Sequence, residues 1–411
     1  MGLDMKAFLR KRTPKPIWNA LKSAKKSAKK LVLRAAKLPH RNGILFIGYA
    51  EGDFGLGQSF RKDILAAADA NLPFAIYPFN IGIETRLIGA FMPERYDKTH
   101  AYDVNIIQVN PDQVPVVLES IDPRITYYTY NVLRTYWELP KALSIWQKSL
   151  LDIDEIWAAT SFVADAFRDI FAGPITRIPT TVELGDGPWK GRNHFGMLTD
   201  RFYFLFSFDY YSSPYRKNPI GVLEAFQRAF SNREENVGLI IKSMGTAEAY
   251  PEIDRALRMA SVADPRIQVI HGSLPYNDMI SLIHAADVYV SLHRAEGFGM
   301  GMAEAMSFGR IVIGTNFSGN TDFLTEQTGF PVPYTLTSVK PHEYFWDPEA
   351  QMWAEPDINE AARVLRQVFE APNLAMKRAK AGQMLIRRKY GMAQVGYAIK
   401  ERLITLGLLE K

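Results

Sequence analysis

The stretch that decides the fold is residues 291–306, which read Ser-Leu-His-Arg-Ala-Glu-Gly-Phe-Gly-Met-Gly-Met-Ala-Glu-Ala-Met. An apolar strand leads into a loop with glycines at 297, 299 and 301, and an Ala- and Met-rich helix follows. Glycines let backbone N–H groups approach a ligand closely, and a helix N-terminus favours negative charge. Glu296 lies in the loop and Glu304 in the helix. Because a carboxylate would repel a phosphate, we expect both to accept hydrogen bonds from sugar or ribose hydroxyls.

A second segment, residues 207–219, reads Ser-Phe-Asp-Tyr-Tyr-Ser-Ser-Pro-Tyr-Arg-Lys-Asn-Pro. It follows an apolar run, and its last residue is a proline, which is common at the start of a helix. Arg216 and Lys217 therefore lie at a helix N-terminus, where a cation and the helix dipole both attract a diphosphate. The alternative is two solvated cations at a helix start.

Strands and helices alternate around these segments. The second half has predicted strands at 201–206, 237–241, 267–270, 288–291 and 311–314, with helices at 219–230, 250–263, 277–285 and from about 301. The first half has predicted strands at 43–50, 73–77, 104–108, 124–128 and 156–159, with helices at 59–70 and 162–171. This alternation predicts parallel β/α units in doubly wound sheets.

The polar, glycine-containing stretch 184–196 predicts a linker between the two halves. We therefore expect an α/β protein with an arm at 1–41 and two Rossmann-like domains, 42–190 and 191–382, which face a central cleft. A last helical stretch, 379–406, follows the second domain, and its part from about 383 to 411 is expected to complete the first domain.

The block 296–306 resembles the signature of the retaining GT-B glycosyltransferases of family 4, E-G-F-G-x-x-x-x-E-A-M with seven residues between its glutamates. Residues 309–314 and 318–324 are also similar to that family. The resemblance implies transfer of a hexose from GDP-mannose or a UDP-hexose to a glycan or lipid-linked saccharide, in bacterial polysaccharide or envelope biosynthesis. It implies no metal and no cofactor, since the nucleotide sugar is a substrate. The alternative for the block is an ordinary glycine-rich corner with two surface glutamates.

The resemblance also assigns roles to individual residues. Glu296 would contact the donor sugar, Glu304 the ribose, and Lys217 with Arg216 the leaving diphosphate. The family's arginine usually lies several residues earlier, where this chain has residues 209–213, so either Arg216 is a substitute or the charge comes from elsewhere. The resemblance also implies donor contacts from the backbone around Phe298, Gly299, Met300 and Gly301. Further donor contacts are expected from the first-domain loop glycines Gly55 and Gly57, and from Lys242 and Gly272 near the nucleobase.

Residues 127–140 are rich in aromatic side chains beside one carboxylate, a composition that suits an acceptor sugar but equally suits helix packing. Many members of the family have a histidine in this half of the cleft, and this block has none. Tyr136, Trp137 and Glu138 are the proposed substitutes, and Ser161 matches a small polar position of the family.

The chain has no cysteine, which excludes disulfides, a thiolate nucleophile and Cys-based metal sites. Asp152 and Asp154 imitate an Asp-x-Asp metal motif, but they precede a strand instead of ending one, so we interpret them as a surface turn.

The basic charge is concentrated in the arm. Residues 1–41 contain thirteen Lys or Arg and one acidic residue, which leaves 36 basic and 43 acidic residues in the body. Apolar residues recur every three or four positions from Ile17 to Leu38, with lysines on the other sides. This pattern is typical of a helix on an anionic membrane surface, so we expect a cytoplasmic protein, peripheral on the inner face of the membrane. The alternatives for the arm are a solvated tail, a transit peptide and nucleic-acid binding. We do not expect nucleic-acid binding.

Two other functions stay open at this point. A GT-B sugar-nucleotide epimerase shares the fold, but its catalytic carboxylates and histidines have no counterparts that we can place here. A non-catalytic nucleotide-sugar-binding subunit is the other alternative, because the first-domain histidine is missing.

Overall fold

The computed structural model describes residues 37–83, 87–127, 129–184, 187–346 and 351–409. The predicted arm helix over 17–38 therefore lies almost entirely outside the described residues. Within the described part of the chain, two six-stranded parallel sheets form two Rossmann-like α/β domains, which confirms the predicted fold class.

Among its described residues, the first domain contains six strands and four α-helices. The strands are β1 (His40–Gly48), β2 (Phe74–Pro78), β3 (Ala101–Gln108), β4 (Tyr130–Thr135), β5 (Glu155–Ala158) and β6 (Ile175–Arg177). The helices are α1 (Gly55–Asp69), α2 (Val114–Ser120), α3 (Pro123–Thr126) and α4 (Ser161–Ala166). Their strand order is β2-β1-β3-β4-β5-β6.

The second domain has a longer set of elements. The sheet strands are β7 (Phe202–Asp209), β8 (Val237–Met244), β9 (Ile267–His271), β10 (Val288–Ser291), β11 (Ile311–Thr315) and β12 (Phe330–Val332), and β13 (Tyr334–Ser338) with β14 (Met352–Pro356) forms an antiparallel hairpin. The helices are α5 (Pro214–Lys217), α6 (Pro219–Ala229), α7 (Pro251–Ala263), α8 (Tyr276–Ala285), α9 (Met300–Ser307), α10 (Ile358–Glu370) and α11 (Pro372–Tyr390). A final helix, α12 (Met392–Thr405), packs on α1 of the first domain.

The strand orders fix where a ligand can bind. The order reverses between β1 and β3 in the first sheet and between β7 and β10 in the second, which has the order β12-β11-β10-β7-β8-β9. Ligands of open α/β sheets bind outside the carboxyl ends of the strands at such reversals. The loops after these four strands are therefore the expected walls of a site.

Two local predictions need correction. The predicted strand at 124–128 is wrong: residues 123–126 form α3, because the Asp122 side chain caps the backbone N–H of Arg124 and Pro123 occupies the first turn. The strand lies later, at β4, which carries the buried Arg134. The last helical stretch is two helices, divided at Gly391, and only the part from Met392 onwards packs on α1.

The hairpin β13–β14 was not predicted, and it links the domains. It follows the second sheet in the chain, yet Val339, Tyr344 and Trp353 belong to the buried apolar cluster under the first-domain sheet. Gln351 accepts a hydrogen bond from the backbone N–H of Lys141 and donates one to the carbonyl of the same residue, at 2.9 and 2.8 Å. The hairpin thus places second-domain residues against the first-domain side of the cleft.

Candidate active site

Two cavities of about 430 and 310 Å³ meet in the cleft between the domains. The larger is lined mainly by first-domain loops and by residues 344–346, and we call it the acceptor cavity after the role that the resemblance implies. The smaller is lined by residues of β7, β8 and α9, and we call it the donor cavity on the same basis. The residues that line both are Phe54, Gly55, Asp209, Ser212, Lys217, Glu296, Gly299 and Met300.

Glu296, Lys217 and Arg216 form a charged cluster at this junction. One carboxylate oxygen of Glu296 pairs with the Lys217 ammonium, and the other lies 3.3 Å from the Arg216 guanidinium. Glu296 and Arg216 are buried, and the Lys217 side chain is 19% exposed. Arg216 is fixed by a 2.7 Å hydrogen bond to the carbonyl of Ala295, so its position follows that of the loop that carries Glu296.

The electrostatics of the cluster favour the ionised carboxylate. Burial alone would raise the pKa of Glu296, but Lys217 and Arg216, with a smaller contribution from His293, lower it to about 2. Burial also lowers the pKa of Lys217, and the charge of Glu296 opposes that shift. Glu296 is therefore a permanent hydrogen-bond acceptor at neutral pH, and it cannot serve as a proton donor there.

The loop after β10 is held from both domains. The backbone N–H of Glu296 donates to the Ser318 hydroxyl at 2.7 Å, and its carbonyl accepts from Gly319 at 2.8 Å. The carbonyl of Gly297 accepts a 2.9 Å hydrogen bond from Thr160 of the first domain. A Cβ on residue 319 would lie 2.1 Å from that same carbonyl, so glycine is required for the close approach. The loop is consequently preorganised before any ligand binds.

Glycines open the start of α9. Gly299 adopts φ of +92°, a left-handed conformation that glycine adopts at little cost, and it precedes the first helical residue, Met300. A Cβ at Gly301 would lie 2.3 Å from the hydroxyl of Tyr289. The Phe298 ring packs on Phe323 at 5.2 Å, so residues 298–301 offer mainly backbone to the cavities.

Glu304 lines the donor cavity one helical turn inside α9, and it contacts both domains. One of its oxygens lies 3.2 Å from the ammonium of Lys62 on α1 and accepts a 3.2 Å hydrogen bond from the Tyr276 hydroxyl. The Lys62 ammonium also lies 5.1 Å from the centre of the Tyr276 ring. Lys62 is only 7% exposed. Sequence analysis missed Lys62, because its partner is 242 residues away and no local pattern marks the contact.

Lys242 reaches the far wall of the donor cavity at the end of β8. Its ammonium donates to the carbonyls of Ser243, at 2.8 Å, and of Gly272. Burial lowers its pKa to about 8, although the charge of Asp209 opposes the shift. Gly272 has φ of +114°, and its contribution here is the carbonyl that fixes Lys242. His271 is exposed and shares a 3.0 Å hydrogen bond with Ser243.

The first-domain glycines have different surroundings. Gly55 begins α1 and lines both cavities, with open space where a Cβ would point. Gly57 is buried, and a Cβ there would lie 2.4 Å from the carbonyl of Gly52, so its glycine is needed for the turn. Arg61 donates to the carbonyls of Ala50 and Gly52 at 3.0 and 2.8 Å, which fixes the same loop.

Three of the four proposed acceptor residues line the acceptor cavity. Tyr136 hydrogen-bonds to Ser59 and, at 2.9 Å, to Thr180. Trp137 is 4% exposed and donates to the carbonyl of Lys141 at 2.8 Å. Glu138 accepts a 2.7 Å hydrogen bond from the Tyr344 hydroxyl and lies 3.7 Å from Arg216. These three residues build the wall of the cavity and connect it to the charged cluster.

Ser161 lies elsewhere, at the start of α4 and outside the residues that line the two cavities. Its backbone N–H donates to Asp322 of the second domain at 2.9 Å. This position indicates a contact between the domains.

His293 is a second residue that sequence analysis did not single out, although it stands inside the decisive block. It is fully buried, and burial lowers its pKa. Its two ring nitrogens face Ser291 at 3.0 Å and Asn320 at 2.9 Å. His293 thus ties the loop that carries Glu296 to residues 318–320, and it supports the cluster from behind.

Comparisons with known proteins identify one family model. Residues 210–335, which include both glutamates and the Arg216–Lys217 pair, match the family model for glycosyl transferases group 1. No curated protein matches the chain.

Three solved structures of similar fold are informative. HepE from Anabaena, in complex with UDP and glucose, is 14% identical over 89% of this chain and 100% of its own, with a TM-score of 0.64. Sucrose-phosphate synthase from Thermosynechococcus elongatus is 15% identical over 89% and 99%, with a TM-score of 0.66. A point mutant of TarM from S. aureus, in complex with fondaparinux, alpha-GlcNAc-glycerol and UDP, is 12% identical over 75% and 55%, with a TM-score of 0.54.

The chain therefore has the fold of the GT-B glycosyltransferases, and its residues 210–335 match the glycosyl transferases group 1 model; these findings support its classification as a glycosyltransferase. Among the described residues, no helix is long and apolar enough to cross a membrane. Within the same part of the chain, no three His, Asp or Glu side chains are grouped as metal ligands.

Proposed function

We propose that this glycosyltransferase moves a hexose from a nucleotide sugar to a glycan or a lipid-linked saccharide, with retention of the anomeric configuration. The observation that carries the proposal is the cluster of Glu296, Lys217 and Arg216 at the junction of two cavities. Preorganised cations where negative charge develops stabilise a transition state, and here they lie where a donor and an acceptor would meet.

The donor would occupy the smaller cavity. Its ribose would bind Glu304, whose carboxylate accepts hydrogen bonds from Lys62 and Tyr276. Its diphosphate would lie along the backbone at residues 298–301, at the N-terminus of α9, and next to Lys217 and Arg216. UDP-hexoses and GDP-mannose are the donors to test, and the UDP in the HepE and TarM structures supports starting with the former.

In the proposed reaction, an acceptor hydroxyl attacks the anomeric carbon on the same face as the leaving group. The bond between that carbon and the diphosphate oxygen breaks, the new glycosidic bond forms, and the acceptor proton passes to the departing phosphate. The electron pair leaves with the nucleoside diphosphate, whose charge Lys217 and Arg216 neutralise. Glu296, whose carboxylate Lys217 and Arg216 favour in its ionised form, orients the donor sugar by accepting hydrogen bonds.

The setting we propose is bacterial polysaccharide or envelope biosynthesis, on the inner face of the membrane. The support is the family resemblance and the lysine-rich residues 1–41. Several lysines near an anionic surface contribute about 1 kcal/mol each. Vesicles of anionic lipid should retain the full chain at low salt and release it at high salt, whereas preferential salt-sensitive binding to nucleic acid would contradict this assignment.

The first experiment is a panel of UDP-, GDP- and ADP-sugars with release of nucleoside diphosphate as the measurement. One donor should be turned over, and Lys217→Ala and Glu304→Ala should lose most of that release. Lys190→Ala is the matched control, because this lysine forms a surface ion pair with Asp278 and is 43% exposed.

Candidate acceptors are added if no donor is hydrolysed by water. Absence of both turnover and binding across the panel would overturn the proposal. A donor whose sugar changes configuration without being transferred would indicate the epimerase instead, and binding without any chemistry would indicate the non-catalytic subunit.

A further inference from the structure

We propose that residues 339–346, which we call the acceptor strap, form the wall that selects a neutral pyranose as the acceptor. The inference rests on the proposed function, because it concerns the acceptor of that same reaction. The strap continues from β13 and carries second-domain residues across the cleft to the first domain.

The strap is anchored at defined points. Tyr344 is 9% exposed and donates through its hydroxyl to Glu138 at 2.7 Å. The carbonyl of Glu343 accepts a 2.6 Å hydrogen bond from the Ser213 hydroxyl, which stands three residues before Arg216. These contacts connect the strap to both the first-domain wall and the segment that carries the charged cluster. The strap is therefore held in place at the mouth of the acceptor cavity before an acceptor arrives.

The anchored residue Tyr344 is followed by two aromatic side chains that line the cavity. Phe345 is 57% exposed and Trp346 is partly exposed. Trp346 packs on Trp146 of the first domain, with ring centres 5.8 Å apart. Because the neighbours fix its backbone, the Phe345 ring is presented to the cavity at little cost in entropy.

The charges that line the cavity define the chemistry of its ligand. Two acidic side chains, Asp112 and Glu138, line it away from the donor cavity. The only cations among its described lining residues are Arg216 and Lys217; both pair with Glu296, and Arg216 also lies 3.7 Å from Glu138. The carboxylates of Asp112, Glu138, Asp209 and Glu296 outnumber these two cations, so a phosphate or a uronate in this cavity would meet net negative charge, which is unfavourable.

Aromatic faces together with carboxylates match a neutral sugar. A pyranose has an apolar C–H face, which packs on an aromatic ring, and a rim of hydroxyl groups, which donate to carboxylates. The cavity of about 430 Å³ has room for one such ring and part of a second. For a lipid-linked acceptor, the non-reducing sugar would therefore enter the cavity, and the lipid phosphate would stay outside it.

The test measures acceptor preference and the effect of the exposed ring together. With the donor found by diphosphate release, the acceptors are methyl glycosides of glucose, galactose and mannose, compared with a methyl glucuronide and a hexose 6-phosphate. We expect neutral glycosides to be used, and Phe345→Ala to raise their KM about 5- to 30-fold with kcat changed less than threefold. Phe345→Trp should restore the KM.

Leu336→Ala is the matched control, because this exposed residue lies on β13 of the same hairpin and does not line the cavity. Binding of the methyl glycosides is also followed by saturation-transfer NMR, which needs no turnover. A preference for anionic acceptors in the transfer assay would overturn the inference. So would glycoside contacts and KM values that do not change in Phe345→Ala. If no diphosphate is released but the glycosides still bind in a way that depends on Phe345, the proposed function is contradicted and the strap remains a sugar-binding site.

Discussion

The donor cavity and the acceptor cavity are built in different ways. The donor cavity takes both of its glutamates from one strand–loop–helix, between β10 and α9. The acceptor cavity shares the segments 209–217 and 296–300, and the rest of its lining comes from short segments that are far apart in the chain, at 54–59, 110–112, 136–146 and 344–346. A local unit can preorganise the reacting groups, whereas distant segments can vary independently. We therefore expect donor-side changes to alter turnover or donor affinity, and acceptor-side changes to alter acceptor KM.

The largest effect is expected for Glu296→Gln. The change keeps the shape of the side chain but removes the charge that pairs with Lys217 and Arg216, which are left enclosed without their partner. We expect kcat to fall about 100- to 1000-fold, the range for losing one preorganised contact in a catalytic site. Initial rates of diphosphate release at saturating donor and acceptor measure this.

A matched change at the acceptor wall gives the contrast. Tyr136→Phe removes one hydroxyl from a residue that lines only the acceptor cavity, and its kcat should stay within tenfold of the wild type. If Glu296→Gln reduced kcat no more than Tyr136→Phe, the cluster would not be where charge develops, and the distinction between the two cavities would fail.

Glu304→Gln comes next in size. The neutral amide keeps the volume but loses a charged acceptor for the ribose hydroxyls, a contact worth about 1.5–3 kcal/mol. We expect the donor KM to rise about 10- to 100-fold, while the acceptor KM stays within a factor of two. A parallel rise of both KM values, measured by varying each substrate in turn, would show that Glu304 acts on the whole cleft.

Lys62→Met sharpens the comparison further, because Lys62 is a first-domain residue that contacts the donor side. Its ammonium lies 3.2 Å from Glu304 and holds that carboxylate beside Tyr276. Removing it should raise the donor KM about fivefold, and Lys62→Arg should restore most of the affinity. A donor KM that falls in Lys62→Met would mean that Lys62 competes with the ribose for Glu304.

The same difference explains how much the sequence could predict. Strands β10 and β11 of the second domain are buried along their whole length and are mainly apolar, and the predicted strand at 288–291 coincides with β10. The glutamates and the cations lie in those local units, and the structure brings Glu296, Lys217 and Arg216 together. Short-range patterns therefore sufficed for the fold class, and the catalytic roles of these three residues stay a prediction.

The acceptor cavity is harder to predict from sequence, because its contacts join residues that are far apart in the chain. In β4 the buried Arg134 interrupts the apolar run, because it pairs at 3.0 Å with Asp63 of α1, a partner 71 residues away. The hairpin strand β13 reads Tyr-Thr-Leu-Thr-Ser, and this alternation of strand-forming residues is a local signal for a strand. Nothing local indicates that Tyr344 would reach Glu138, since 206 residues separate them.

The smallest effect concerns pH and the far wall of the donor cavity. Lys242 has a pKa of about 8, lowered from 10.5 mainly by burial, so it loses its charge as pH rises through about 8. Between about pH 8 and pH 10.5, the unfolded chain binds more protons at this group than the folded chain does. The contribution of Lys242 to the free energy of unfolding therefore rises with pH.

If Lys242 contributes its cation to the donor, the dissociation constant of the nucleoside diphosphate should increase about threefold between pH 7 and pH 9 while the fold becomes no less stable. Calorimetric titration measures this, and Lys242→Met should bind equally at both pH values. A pH dependence that persists in Lys242→Met would assign it to another group in the cleft and would leave Lys242 as a residue that only fixes the Gly272 carbonyl.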